Sequence, residues 1–155
     1  MPYPYRYAPH AEVLGAAASA TVNHLRRAEV LPSLEKHGLL DIQAEEWYPV
    51  DKFVHVFEEW YASHTSVMAD LVSVGMAIID NMVLPPNLDA LATIDKLMLI
   101  GQLHDMQHRG GDPGGYKIEL LDDYHIRYTE DTVYPDHMIY GYIYGIARRF
   151  LGRDH

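Results

Sequence analysis

His104-Asp105-Met106-Gln107-His108 is the stretch of this chain whose residue types and spacing come nearest to a known chemistry. Two histidines four apart lie on one helical face and can share a metal ion. The carboxylate in second place parallels the His-Glu-x-x-His of zinc hydrolases. Asp is one methylene shorter than Glu, which changes its reach towards a metal-bound water, and Arg109-Gly110 ends the helix directly afterwards. A third ligand would have to come from His64, His125, His137 or a carboxylate. On this alternative, His104 and His108 hold zinc or iron in a metal-dependent enzyme. The plainer reading is a pair of histidines closing a helix, where a cationic imidazole suits the dipole. Ten histidines in 155 residues favour metal binding or pH response no more than chance scatter does.

Aromatic residues offer a second constellation. Tyr116, Tyr124 and Tyr128 fall on one face of a two-strand pattern. Tyr140, Tyr142 and Tyr144 follow on a helix, and Trp47 precedes Pro49. Aromatic walls with a few polar tips suit a flat or hydrophobic ligand, so Trp47, Tyr116, Tyr124, Tyr128, Tyr140 and Tyr144 are the expected ligand-binding set. The competing reading is that these rings only pack the helix against the strands. His125 and His137 are placed to approach each other across the Tyr134-Pro135 corner. No serine sits in a nucleophile elbow, and the glycine loop lacks the Gly-Lys-Ser/Thr ending of a phosphate loop. The acidic pairs Glu45-Glu46, Glu58-Glu59 and Asp122-Asp123 read as solvated surface.

Composition narrows the classes. There are no cysteines, which excludes disulfides, thiolate catalysis and cysteine-ligated metals. Twelve basic against 22 acidic residues leave a net charge of −10, which repels phosphate backbones and anionic lipid and argues against nucleic-acid or membrane partners. The Arg148-Arg149-Arg153 cluster reads as a helix end favoured by the dipole. Residues 67–84 are interrupted by Asp70, Ser73, Asp80 and Asn81 and make no clean membrane span. With 48% apolar residues the chain is expected to fold as a single cytoplasmic domain, 1–155, with residues 1–9 as an extended Pro/Tyr arm.

The elements that must position these groups follow from periodicity. Residues 11–28 are alanine-dense and helical in spacing, and a short helix is expected over Ser33–His37, after Pro32 and before a Gly38 cap. Asp51 is the expected N-cap of a helix burying Phe53, Val54, Phe57, Trp60 and Tyr61. A further helix, about Ser66 to Met82, carries Met68, Leu71, Val72, Gly75, Ile78 and Ile79 on one side, and Pro85-Pro86 stops it. Leu88 to His108 is a third amphipathic helix, with Leu91, Ile94, Leu97, Met98, Gly101 and Leu103 on one face. Past the loop 110–115 the period becomes two: Tyr116, Ile118 and Leu120 alternate with Lys117 and Glu119, and the pattern recurs from Tyr124 to Thr129 across an Asp122-Asp123 turn. A last helix, His137 to Leu151, bears an Ile139, Ile143, Ile146, Phe150 stripe and a Gly141/Gly145 stripe where another backbone can approach. The fold expected is α+β and predominantly helical, with about five helices and a C-terminal antiparallel hairpin packed by the final helix. Two strands alone are marginal in water and leave open edges, so they must lie on helices, join a larger sheet or pair with another chain.

Gly115-Tyr116, the hairpin, Tyr134-Pro135-Asp136 and the run from Tyr140 to Phe150, with Trp47-Tyr48-Pro49, Gly75 and Arg109-Gly110 upstream, resemble the haem–nitric-oxide-binding and 4-vinyl-reductase-like superfamily over roughly residues 30 to 151. The similarity is to bacterial members of uncharacterised function. It implies helices on an antiparallel sheet and a domain that binds a small hydrophobic molecule or a gas-sensing haem and signals to a partner. The haem-binding members' Tyr-x-Ser-x-Arg has only Tyr61-Ala-Ser63-His-Thr65 as a counterpart, without arginine, so haem is not supported. Related domains continue into further strands, whereas this chain stops at His155. The expectation is either a shortened version or a sheet partner from a second molecule. The function expected is a non-catalytic small-molecule-binding or sensory domain with an aromatic-lined pocket, as a homodimer. The alternatives are the His104/His108 enzyme and a homo-oligomeric interaction domain joined through the glycine stripe and the hairpin edge.

Overall fold

The computed structural model describes residues 6–82 and 86–151. Part of the expected arm, Pro85, Arg153 and His155 lie outside the described residues. Five short strands and six α-helices are described, in the order β1 (Glu12–Leu14), α1 (Gly15–Val22), α2 (Arg27–Lys36), β2 (Trp47–Pro49), α3 (Val50–Ser63), α4 (Val67–Asn81), α5 (Thr93–Gln107), β3 (His108–Arg109), β4 (Tyr116–Asp122), β5 (His125–Glu130) and α6 (Asp136–Leu151). A 3-10 turn at Leu88–Ala90 precedes α5. The chain is α+β and mostly helical, with the C-terminal hairpin followed by its helix.

The expected N-terminal helix is divided. Glu12–Leu14 forms the middle strand of an antiparallel sheet, with Val13 opposite Tyr48 on one side and His108 on the other. Helix starts only at Gly15, where the amides of Gly15 and Ala16 donate to the carbonyls of Glu46 and Ala44. Pairing on both sides outweighs local preference here. The second helix is longer than the expected Ser33–His37 and runs through Pro32. Pro32 lies on the exposed face, where the one hydrogen bond it forfeits is tolerated. Gly38 ends that helix at φ +70°, and the Leu39 amide bonds back to Leu34 O at 2.8 Å, a Schellman closure that needs the left-handed region.

Helix α3 buries Phe53, Val54, Phe57 and Trp60 as expected, together with Val50 and Val56. Asp51 is inside its first turn, two residues past the cap position at Pro49, and accepts the Ala8 amide at 2.7 Å instead. Arg6 pairs with Asp112 at 3.0 Å, so the described end of the arm is docked. Glu59 is not merely solvated surface. Its carboxylate accepts from Lys36, Ser33 and His37, which ties α2 to α3. The lysine ammonium, then the serine hydroxyl, hold it down to about 2.

Helices α4 and α6 meet backbone to backbone. A Cβ on Gly75 would stand 2.1 Å from Met138 O, and one on Gly141 2.0 Å from Val72 O. The glycine stripe is therefore used inside the chain. Arg148 pairs with Asp80, and Arg149 donates to Ile79 O and Met82 O at the end of α4. On α4, Leu71, Gly75, Ile78 and Ile79 are buried, whereas Met68 is exposed. Helix α5 starts at Thr93 rather than at the expected Leu88, and Leu91, which precedes it, and Met98, both expected on its apolar face, are exposed as well. Two apolar clusters result, one around Phe57, Trp60 and Leu71 and one around Ile79, Ile100 and Ile146, with Met82 and Tyr142 packed against both.

The hairpin β4–β5 is a separate two-stranded sheet with Tyr116 opposite Glu130 and Ile118 opposite Tyr128. Its turn is Asp123-Tyr124, one residue beyond the expected position, with Asp122 accepting the Tyr124 amide at 2.9 Å. Tyr116 and Ile118 pack against the Ile100–Ile146 cluster, so the base of the hairpin lies on helices.

Backbone atoms cannot yield as side chains do, so Gly75→Ala and Gly141→Ala are each expected to cost about 1–3 kcal/mol of overpacking strain. Gly115→Ala is the control, since a Cβ added there would meet nothing within 4 Å. Urea denaturation of the three variants measures the contrast.

Candidate functional site

A cavity of about 100 Å³, partly open to solvent, lies among α1, α3, α4, α5, α6 and the base of the hairpin. Its wall is mainly apolar, with Ala17, Phe57, Ile78, Ile100 and Met138 prominent. The polar groups reaching it include His104, His108, Tyr116 and Tyr134. Among the described residues no Asp, Glu, Lys or Arg lines it.

Three strands set its histidines. Val13 of β1 pairs with His108 of β3, and beside them Arg109 Nε donates to Glu12 at 2.6 Å. His108 Nδ1 donates to the His104 carbonyl at 2.7 Å. A carbonyl can only accept, so that nitrogen carries the proton and Nε2 accepts from the Tyr134 hydroxyl at 2.6 Å. The His104 ring stacks on His108 with centroids 4.1 Å apart, and Tyr116 meets it edge-on at 5.1 Å.

His104 differs from its neighbour. It is 6% exposed, and among the described residues neither ring nitrogen has a hydrogen-bond partner. Asp105 stands 3.7 Å from Nδ1, close enough for an ion pair but too far for a hydrogen bond. Burial, then the neighbouring His108, pushes His104 down to about 4, so it is neutral at pH 7. Burial also lowers His108. Burial raises the phenols of Tyr116, Tyr128 and Tyr134, and lifts Tyr142 to about 12. The imidazole and phenol groups of the wall are thus held neutral at pH 7.

As metal ligands, His104 and His108 are stacked face to face, and both nitrogens of His108 are already engaged. His125 bonds Asp122 on the hairpin, and His137 stands 3.4 Å from the Tyr61 hydroxyl. Those two histidines are thus engaged apart from each other. Among the described residues no group of three or more His, Asp or Glu side chains converges to hold a metal.

Of the expected aromatic set, Tyr116 lines the cavity, and Tyr128 packs beside it at 5.4 Å with its hydroxyl buried and unpartnered. Trp47 is elsewhere, with its ring under the Arg109 guanidinium at 4.4 Å, because its strand crosses the far side of the three-stranded sheet. Tyr124 is in the hairpin turn and 92% exposed. Tyr140 and Tyr144 are exposed because the helical period turns them away once Gly141 and Gly145 face α4. Tyr142, between them, takes the inward place, and Tyr134 completes the wall. The sign for Tyr142 was its spacing, three residues after Ile139 and four before Ile146 on the apolar stripe.

No protein-family model matches the chain, and no curated protein or solved structure matches it.

A base with a depressed folded-state pKa binds its proton more readily when unfolded, so stability is lost as pH falls from about 6.5 towards 4. The loss attributable to His104 is on the order of 3 kcal/mol. His104→Phe is expected to flatten this window and to leave the protein at least as stable at pH 7, since it removes an unsatisfied buried group. Urea melts at pH 4.5, 5.5 and 7 give both results.

Proposed function

We propose that this chain is a non-catalytic small-molecule-binding or sensory domain whose ligand is a small hydrophobic or aromatic, uncharged molecule held in the His104 cavity. The observation that carries this reading is the buried imidazole of His104, without a hydrogen-bond partner among the described residues, in a mainly apolar wall. An unsatisfied polar group costs about 1–3 kcal/mol, and a ligand that bonds to it recovers that cost. The enclosed part, about 100 Å³, is smaller than the apolar cavity of about 150 Å³ that accepts benzene, so a ring bound here would extend into the open mouth. Among the described residues no charged side chain lines the cavity, which disfavours ions.

The resemblance to the haem–nitric-oxide-binding and 4-vinyl-reductase-like superfamily agrees with a sensory role, in a bacterial and cytoplasmic setting. We extend the proposal to a homodimer through the hairpin. Leu120, Leu121, Tyr124 and Ile126 are exposed near its tip, and among the described strands β4 and β5 pair only with each other.

Toluene, benzyl alcohol and indole are suitable probes, titrated by thermal shift and by NMR. The compounds bearing a hydrogen-bonding group are expected to bind saturably, about tenfold or more weaker in His104→Phe, while toluene is unaffected by that change. Ala17→Phe, checked for retained folding, should block all three. Absence of saturable binding, or unchanged affinities in both variants, would remove the cavity from the function.

A further inference from the structure

A second cavity lies on the other side of Met82 and Ile100, which line both. Its volume is about 50 Å³, it is partly open to solvent, and Ile79, Leu99, Leu103 and Phe150 supply an apolar wall. Two cations complete it, Lys96 from α5 and Arg149 from α6. The Lys96 ammonium lies 5.4 Å from the centre of the Phe150 ring, and Arg149 Nη1 donates to the carbonyls of Ile79 and Met82.

Charge makes this placement informative. In a chain with 22 acidic and 12 basic residues, most cations find a carboxylate: Arg6, Arg26, Lys36, Arg109, Lys117, Arg127 and Arg148 all do. Among the described residues no carboxylate lies within ion-pair distance of Lys96 or Arg149. Arg27 and Lys52 also lack one, but they line neither cavity. Two uncompensated positive charges flanking an apolar slot complement a ligand with an apolar body and one anionic end. Arg149 is already oriented by the α4 carbonyls, so its guanidinium is held in place before a ligand arrives, which lowers the entropy lost on binding.

We propose that this second cavity binds a small organic carboxylate, such as a short-chain fatty acid, with its chain against Ile79, Leu103 and Phe150 and its carboxylate between Lys96 and Arg149. The site is separate from the His104 cavity and does not depend on the function assigned there. Among the described residues no charged group lines the first cavity, so the two divide ligands by charge.

Hexanoate and its neutral isostere hexanamide, titrated into the full chain with methyl-labelled NMR detection, test it. Hexanoate is expected to bind saturably and to shift the methyls of Ile79, Leu103 and Ile146. Hexanamide should bind at least tenfold more weakly, and hexanoate affinity should fall as salt is raised. Lys96→Met keeps the α4 cap intact and is expected to weaken hexanoate about tenfold while leaving hexanamide unchanged; Arg149→Lys serves as the second variant. Equal affinity for acid and amide, shifts confined to residues around His104, or no effect of Lys96→Met would overturn the proposal.

Discussion

The contact on which most of the remaining structure depends is the backbone approach of α4 and α6 at Gly75 and Gly141. Two helices that touch without side chains between them have little rotational freedom, because a turn of either brings a Cβ into a carbonyl. Once Gly141 faces Val72, the 100° step of the helix decides every other position on α6. Met138, Ile139 and Tyr142 are directed inwards, Ile146 goes to the second cluster, and Tyr140 and Tyr144 go to solvent. The two arginines following on α6 fix the register, one on Asp80 and one on the α4 carbonyls. The shape of both cavities is thus largely a consequence of two missing methyl groups.

This also explains which parts of the molecule were legible in the sequence. Elements whose burial pattern repeats over several turns were readable: α3 from Phe53 to Trp60, α4, the Tyr116–Thr129 hairpin and the Gly38 stop all reflect local periodicity or a backbone requirement. The three-stranded sheet was not readable. Its strands are two or three residues long, too short for alternation to register, and they exist because Val13 finds Tyr48 on one side and His108 on the other. Without that sheet, Trp47 appeared to belong with the tyrosines, when it packs beneath Arg109. The aromatic set failed for a related reason. A run of alternating tyrosines on a helix presents residues on nearly opposite faces, and only the partner backbone decides whether Tyr142 or its neighbours turn inward. The Gly141/Gly145 stripe was visible as a close-approach surface; that α4 rather than a second chain occupies it was not.

The His104–His108 pair shows how one spacing serves different ends. At four residues apart on a continuing helix, two imidazoles can converge on a metal. Here the helix stops between them and His108 becomes strand, paired to Val13, so its ring is turned to bond the His104 carbonyl and Tyr134. The change of backbone converts a two-ligand pattern into a stacked pair in which one ring is fully engaged and the other has no hydrogen-bond partner.

That asymmetry bears on function because a folded chain has few reasons to keep an unsatisfied imidazole in its interior. A leucine or phenylalanine at 104 would pack the same wall without the desolvation penalty, and the chain already places apolar residues at Leu97 and Ile100 on the same helix. His108 does not require its neighbour's ring, since it bonds only the neighbour's carbonyl, which any residue would provide. The His104 side chain is therefore not demanded by the fold that surrounds it. Of the buried side chains left without a hydrogen-bond partner among the described residues, His64, His104 and Tyr128, His104 is the one that lines the cavity, and a local break of the burial rules there is what a site shaped by binding would show.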